Sequence, residues 1–239
     1  MGFDPNAASA PDSGAFGLPN TEADARVILL PVPFDATTSY GKGAANGPQA
    51  ILEASKQVDL FDLETGRPYE AGIFMLAESE DVRRWNEAGN TLSAKVIEAA
   101  GVVAGDAELE GALRDVNAIS AQVNEHVYAE TKRLLDAGKI VGLVGGDHAV
   151  PFGCIRAHAE RFPGLSVLHF DAHADLRPAY EGFEWSHASI MDNVVAKTAI
   201  ARLVQVGIRD LSEQEFERVE GSNGRIVSFY DVDLKRAQR

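Results

Sequence analysis

A handful of continuous apolar runs constrain this chain more than any other feature. They are Arg26-Val27-Ile28-Leu29-Leu30-Pro31-Val32-Pro33, Lys139 to Val144, Leu165 to Phe170, Arg202 to Arg209 and Arg225 to Tyr230. Each is apolar without alternation, as in a strand covered on both faces. Between them, apolar residues recur every three or four positions, the period of an amphipathic helix. Gln49 to Val58 follows Pro48, which suits a first helical turn. Asp81 to Ala100 carries Val82, Trp85, Leu92, Val96 and Ile97. Val116 to Ala137 carries Ile119, Val123, Val127, Thr131 and Leu134, with Gly138 placed to cap its end. Pro151 to Arg161, the stretch after Ser189 to Ala196, and Ser212 to Val219 also read as helices. Ser212 and Glu215 have capping-box spacing. Gly72 to Leu76 reads as a short strand, and Gly101 to Gly111 as a loop or broken helix. This alternation predicts an α/β fold, a three-layer α/β/α arrangement around a mostly parallel sheet.

The chain has 239 residues, 45% of them hydrophobic, enough for one large domain. Without an internal repeat or linker, one domain is expected over 26–239. Residues 1–25, rich in Ala, Pro, Ser, Asn and Gly, read as a loose arm or a loop over the surface. The net charge of −14 argues against nucleic acid as a partner, and is compatible with a cationic substrate. The first residues lack the basic start and apolar segment of a signal peptide. No apolar run reaches the ~18 residues a membrane span needs. The single cysteine, Cys154, lies in the apolar context Pro-Phe-Gly-Cys-Ile and reads as a buried structural thiol. A reducing, cytoplasmic setting is expected.

The chemistry concentrates where strands end. Val167-Leu168-His169-Phe170 runs into Asp171-Ala172-His173-Ala174-Asp175. On an extended backbone, side chains two apart share a face. Asp171, His173 and Asp175 are therefore expected to point together. His169 shares their parity and reads as a buried or supporting histidine rather than a ligand. His148 follows another strand in Gly145-Gly146-Asp147-His148, and His187 lies in Ser186-His187-Ala188-Ser189. Imidazole and carboxylate without thiolate suit Mn, Fe, Co, Ni or Zn. Several carboxylates favour a harder ion and can bridge a pair, which activates water at neutral pH. Phe34 to Pro48, small and Gly-rich after a strand, is placed as a binding loop, and it has no Walker ending.

These signatures resemble those of the ureohydrolases, the arginase and agmatinase family. Gly145 to His148, Asp171 to Asp175 and Ser186 to Ser189 carry the resemblance, with Pro33 to Asp35 and Gly47 to Ile51 upstream. It implies an arginase-like fold and a centre of two Mn2+ ions. In that centre His148 would bind one ion and His173 the other, Asp171 would bridge them, and Asp175 would complete the ligands. Asp175 and His187 would serve catalysis, His187 as a proton shuttle. The implied reaction is hydrolysis of a guanidino C–N bond, giving urea and a primary amine, in polyamine metabolism. A small guanidino substrate and a homo-oligomeric full-length form are implied with it.

Agmatine is the expected substrate. The arginase Asn two residues beyond the last Asp is Arg177 here, which counts against arginase. Arg177 and Glu181, in the loop Arg177 to Glu184, are expected to contact substrate. Glu181 suits an amine tail, and Arg177 suits a carboxylate, as in guanidinobutyrate or formiminoglutamate. The family's third signature, Ser-x-Asp-x-Asp-x-x-Asp-Pro, has only an inexact counterpart. Ser228-Phe229-Tyr230-Asp231-Val232-Asp233 has one residue too many, and no Asp-Pro follows. The resemblance thus implies that the true motif lies beyond residue 239, so that the domain is incomplete. A catalytically inactive fragment or non-catalytic subunit is the alternative.

Overall fold

The computed structural model describes residues 3–10 and 12–237. Strands and helices alternate: β1 (Val27–Val32), α1 (Gly47–Ser55), β2 (Ile73–Met75), α2 (Glu80–Glu98), α3 (Ala107–Asp136), β3 (Ile140–Gly145), α4 (Phe152–Arg161), β4 (Ser166–Phe170), α5 (Ile190–Lys197), β5 (Arg202–Ile208), α6 (Glu213–Glu220), β6 (Ile226–Tyr230) and α7 (Asp231–Ala237). Among the described residues the four strand pairs are parallel, as continuous apolar runs joined by helices require.

The strands form two three-stranded sheets, ordered β2-β1-β3 and β4-β5-β6. Among the described residues no ladder joins β3 to β4, so the single expected sheet is divided. β1 and β5 are each paired on both sides, while β4 is an edge on which Leu168 and Phe170 stand 59% and 71% exposed. The halves are tied instead by α4, which packs on α3 and α5. Cys154 on α4 is buried with Val123, Val127 and Val150, and burial pushes its thiol pKa up. The second half closes around Leu203, Ile208, Val194 and Leu176.

Two sequence expectations change, for α3 and for the N-terminal arm. α3 begins at Ala107, well before Val116, because Asp106 caps it and accepts from the Glu108 and Leu109 amides at 3.0 and 3.1 Å. A charged cap of this kind offsets the ~1 kcal/mol that Gly111 costs inside a helix. The N-terminal arm is packed in its second half. Ala15, Leu18 and Ala25 are buried, and the Phe16 amide donates to Ser55 Oγ. Asp231 and Asp233 lie on α7, where they pair with Lys235 at 2.6 Å and Arg236 at 3.5 Å. The other boundaries fall close to expectation. Gly138, at φ 75°, caps α3, and both bonds of the Ser212/Glu215 capping box are present. No described helix is long and apolar enough to cross a membrane.

Candidate metal centre

Two turns aim their side chains at one point. After β3, the Gly146 amide donates to Val32 O and the Asp147 amide to Phe34 O, at 3.1 and 3.0 Å. A Cβ on Gly146 would collide with the Phe34 carbonyl, so only glycine allows this approach. The docked turn carries His148. After β4, Asp175 adopts φ 54°, a left-handed conformation that aspartate tolerates better than most residues. There its carbonyl accepts from the Met191 and Asp192 amides at 3.0 and 3.2 Å. It thereby satisfies free N–H groups in the first turn of α5.

His148 Nδ1 lies 2.7 Å from Asp175 Oδ2 and 3.3 Å from Asp171 Oδ2. His169 Nε2 lies 3.4 Å from the same Asp171 oxygen, and the two imidazoles are 5.2 Å apart. One donor atom from each of His148, His169, Asp171 and Asp175 falls within 4.8 Å of the others. Burial opposes charge on His148, yet Asp175, Asp171 and Asp147 outweigh it and raise the pKa. Burial, with His148 alongside, lowers that of His169. Burial would raise Asp171, but the His173 amide and the neighbouring imidazoles pull it below the ordinary carboxylate range. The pocket therefore favours carboxylate at Asp171.

His173 stands outside this group. β4 ends at Phe170, so strict alternation does not continue through Asp175. His173 is 61% exposed in its side chain. Its Nδ1 lies 3.5 Å from Asp171 Oδ1 and its Nε2 lies 3.7 Å from Asp210 Oδ2. Asp171 thus faces His148 with one oxygen and His173 with the other.

The remaining candidates lie in the loops beside the cluster. His187 is half-buried in a 3-10 turn before α5, its ring 6.1 Å from that of Tyr180, and its Nδ1 has no hydrogen-bond partner among the described residues. Glu181 has φ 52° and a buried Oε2 with no hydrogen-bond partner among the described residues. Burial raises its pKa against the pull of His187 and Lys42. Arg177 Nε lies 3.6 Å from the buried Glu215, and its guanidinium sits 5.3 Å from the Tyr180 ring centre. Arg177 lines a cavity of about 440 Å³ with Asp192, Ser212, Gln214 and Arg218, to which no member of the four-residue cluster contributes.

Sequence patterns did not single out Lys42, whose ammonium donates to the Asp35 and Ala36 carbonyls. Nor did they single out Glu215 beyond its cap. Its Oε1 accepts from the Leu176 amide at 2.9 Å, beside Asp175. The capping box was the signal for that residue, and the loop contact was not encoded locally.

Imidazole and carboxylate gathered at the carboxyl ends of parallel strands define an α/β protein with a candidate metal site at its strand termini. The chain belongs to the arginase family, whose model matches residues 25–239. It is 38% identical over 187 residues to an N(1)-aminopropylagmatine ureohydrolase of Thermus thermophilus, covering 78% of this chain and 52% of that protein. It is 31% identical over 196 residues to the agmatinase of Bacillus anthracis, covering 81% and 56%. In fold it resembles the agmatine ureohydrolase of Thermoplasma volcanium, with a TM-score of 0.65, 23% identity, and coverage of 91% of this chain and 61% of that one. The matched region spans about half the length of these curated relatives.

Proposed function

We propose that this chain carries the metal centre of a ureohydrolase that cleaves a guanidino C–N bond to release urea. Agmatine or N(1)-aminopropylagmatine is the substrate, since relatives bearing those names share 31% and 38% identity with it. The observation that carries the reading is the convergence of His148, Asp171 and Asp175 at the ends of β3 and β4, in a chain of the arginase family. The donors fit manganese, being imidazole and carboxylate, with the one thiol buried in the core. His148, Asp171 and Asp175 would hold one ion. His173, on the far oxygen of Asp171, would hold a second with Asp171 shared. Bound manganese supplies water of lowered pKa as the nucleophile.

The chain's own groups do the rest. His187, whose Nδ1 has no partner among the described residues, takes and gives protons at that nitrogen. Glu181 offers its unpartnered Oε2 to the cationic tail of the substrate. Arg177 is engaged by Glu215, and this partner must be released before Arg177 can bind the carboxylate of a guanidinobutyrate-type substrate. The single buried cysteine supports a cytoplasmic setting.

The test is metal content together with urea release from agmatine, N(1)-aminopropylagmatine, arginine and guanidinobutyrate. Manganese uptake with urea from the first two is expected. A manganese-loaded chain that releases urea from none of them sinks the enzyme reading for this chain and leaves an inactive fragment or a non-catalytic subunit.

A further inference from the structure

His169, Gln205 and Ser228 stand on one rung across β4, β5 and β6, with His169 paired to Gln205 and Gln205 to Ser228 in register. The imidazole is 5% exposed and the amide is fully buried, at 0%. Gln205 Nε2 lies 2.7 Å from Ala174 O. A carbonyl can only accept, so the amide nitrogen must face it. At the other end, Ser228 Oγ donates to Gln205 Oε1 at 2.8 Å. Both ends of the amide are thereby fixed. The same Nε2 lies 3.0 Å from His169 Nδ1 and has a second hydrogen to give. A proton on Nδ1 would set donor against donor, so Nδ1 accepts. In the neutral ring the proton then sits on Nε2, which faces Asp171 Oδ2 at 3.4 Å.

We propose that His169 is a positioning residue and not a metal ligand: the Ser228–Gln205 chain holds it in the Nε2–H tautomer, from which it donates to Asp171. Neither ring nitrogen then has a lone pair for an ion, although the imidazole lies among the candidate donors. The hydrogen bond fixes the orientation of a carboxylate that faces His148 on one side and His173 on the other. The tautomer follows from hydrogen bonding alone. The consequence for metal binding rests on the ureohydrolase reading.

Long-range proton–nitrogen NMR of the metal-free chain, carrying nitrogen-15 histidine assigned through the backbone, reads the tautomer directly. His169 is expected to carry its proton on Nε2 and none on Nδ1. A proton on Nδ1 overturns the proposal and needs no variant to detect. Manganese titration gives the second measurement. His169→Gln places an amide donor near the Nε2 position and is expected to bind close to wild type. His169→Leu is expected to bind ~10–100-fold more weakly. Equal losses in the two variants, with both folded by circular dichroism, overturn the positioning role. Failure of the wild-type chain to take up manganese would overturn the ureohydrolase reading and leave the tautomer assignment standing.

Discussion

Asp175 Oδ2 accepts from His148 Nδ1 at 2.7 Å, joining the turn after β3 to the turn after β4. The sheets that end in these turns share no ladder among the described residues. This bond therefore connects the halves of the molecule at the point where the candidate ligands meet. Asp175 is 7% exposed in its side chain, so its carboxylate depends on that imidazole for a cationic or donating partner.

Replacing His148 with Ala removes that partner and leaves Asp175 buried without it. The metal-free variant is expected to lose about 1–3 kcal/mol, as for a buried acceptor deprived of its donor. Manganese affinity is expected to fall at least ~100-fold, because a proposed ligand goes as well as an orienting contact. Urea denaturation and metal titration check the two effects separately. A stable variant with unchanged affinity contradicts both the contact and the ligand assignment.

Glu215 supports the same loop from behind. Its carboxylate receives the Leu176 amide at 2.9 Å, the Ser212 amide at 2.7 Å and the Ser212 hydroxyl at 2.8 Å. Glu215→Ala strands these donors at a position that is 4% exposed. The expected cost is about 2–4 kcal/mol in the urea midpoint, with weaker manganese binding as the Asp175–Leu176 turn loosens. Ser212→Ala removes only the cap hydroxyl and is expected to cost about 1 kcal/mol. Equal losses for the two variants would mean that the Leu176 contact contributes nothing.

Gly146→Ala tests the turn that presents His148. The added Cβ meets the Phe34 carbonyl, and backbone rather than a flexible side chain stands in its way. A loss of at least ~3 kcal/mol, or failure to fold, is expected. Gly138→Ala meets no neighbour, yet that position has φ 75°. It is expected to cost about 1 kcal/mol through backbone strain alone. Thermal unfolding of the pair separates collision from strain.

What the sequence revealed was local. Apolar runs, the Gly138 cap and the Ser212/Glu215 box each depend on neighbours a few residues away, and each is present in the structure. The division of the sheet was not legible, because an apolar run names no strand partner. His173 shows where parity arguments stop. Period-two alternation needs extended backbone, and β4 ends before Asp171 while Asp175 turns left-handed. The parity of His169 could be read from the sequence. Its tautomer could not, since Gln205 stands 36 residues away and Ser228 another 23.

Asp35 gives a pH dependence whose sign can be worked out. It is 2% exposed and ties the Gly-rich loop together. Its Oδ2 accepts from the Gly43 and Ala45 amides at 2.8 and 3.1 Å, and its Oδ1 accepts from Asn90 Nδ2 at 2.9 Å. Burial raises its pKa, but the bonds from Asn90, Ala45 and Gly43 outweigh burial and hold it below the ordinary value. A carboxylate depressed in the folded state stabilises fully above its unfolded pKa, near ~3.9 for aspartate. That contribution disappears as pH falls through the folded value. Asp35→Asn cannot present two acceptor oxygens to these donors, and is expected to cost about 2–3 kcal/mol at pH 7. The gap between wild type and variant should narrow as pH drops from ~5 towards ~3, because protonated Asp35 loses the same bonds. Urea midpoints across that range measure the gap. A difference that stays constant with pH would mean that the Asp35 carboxylate is not what holds the loop.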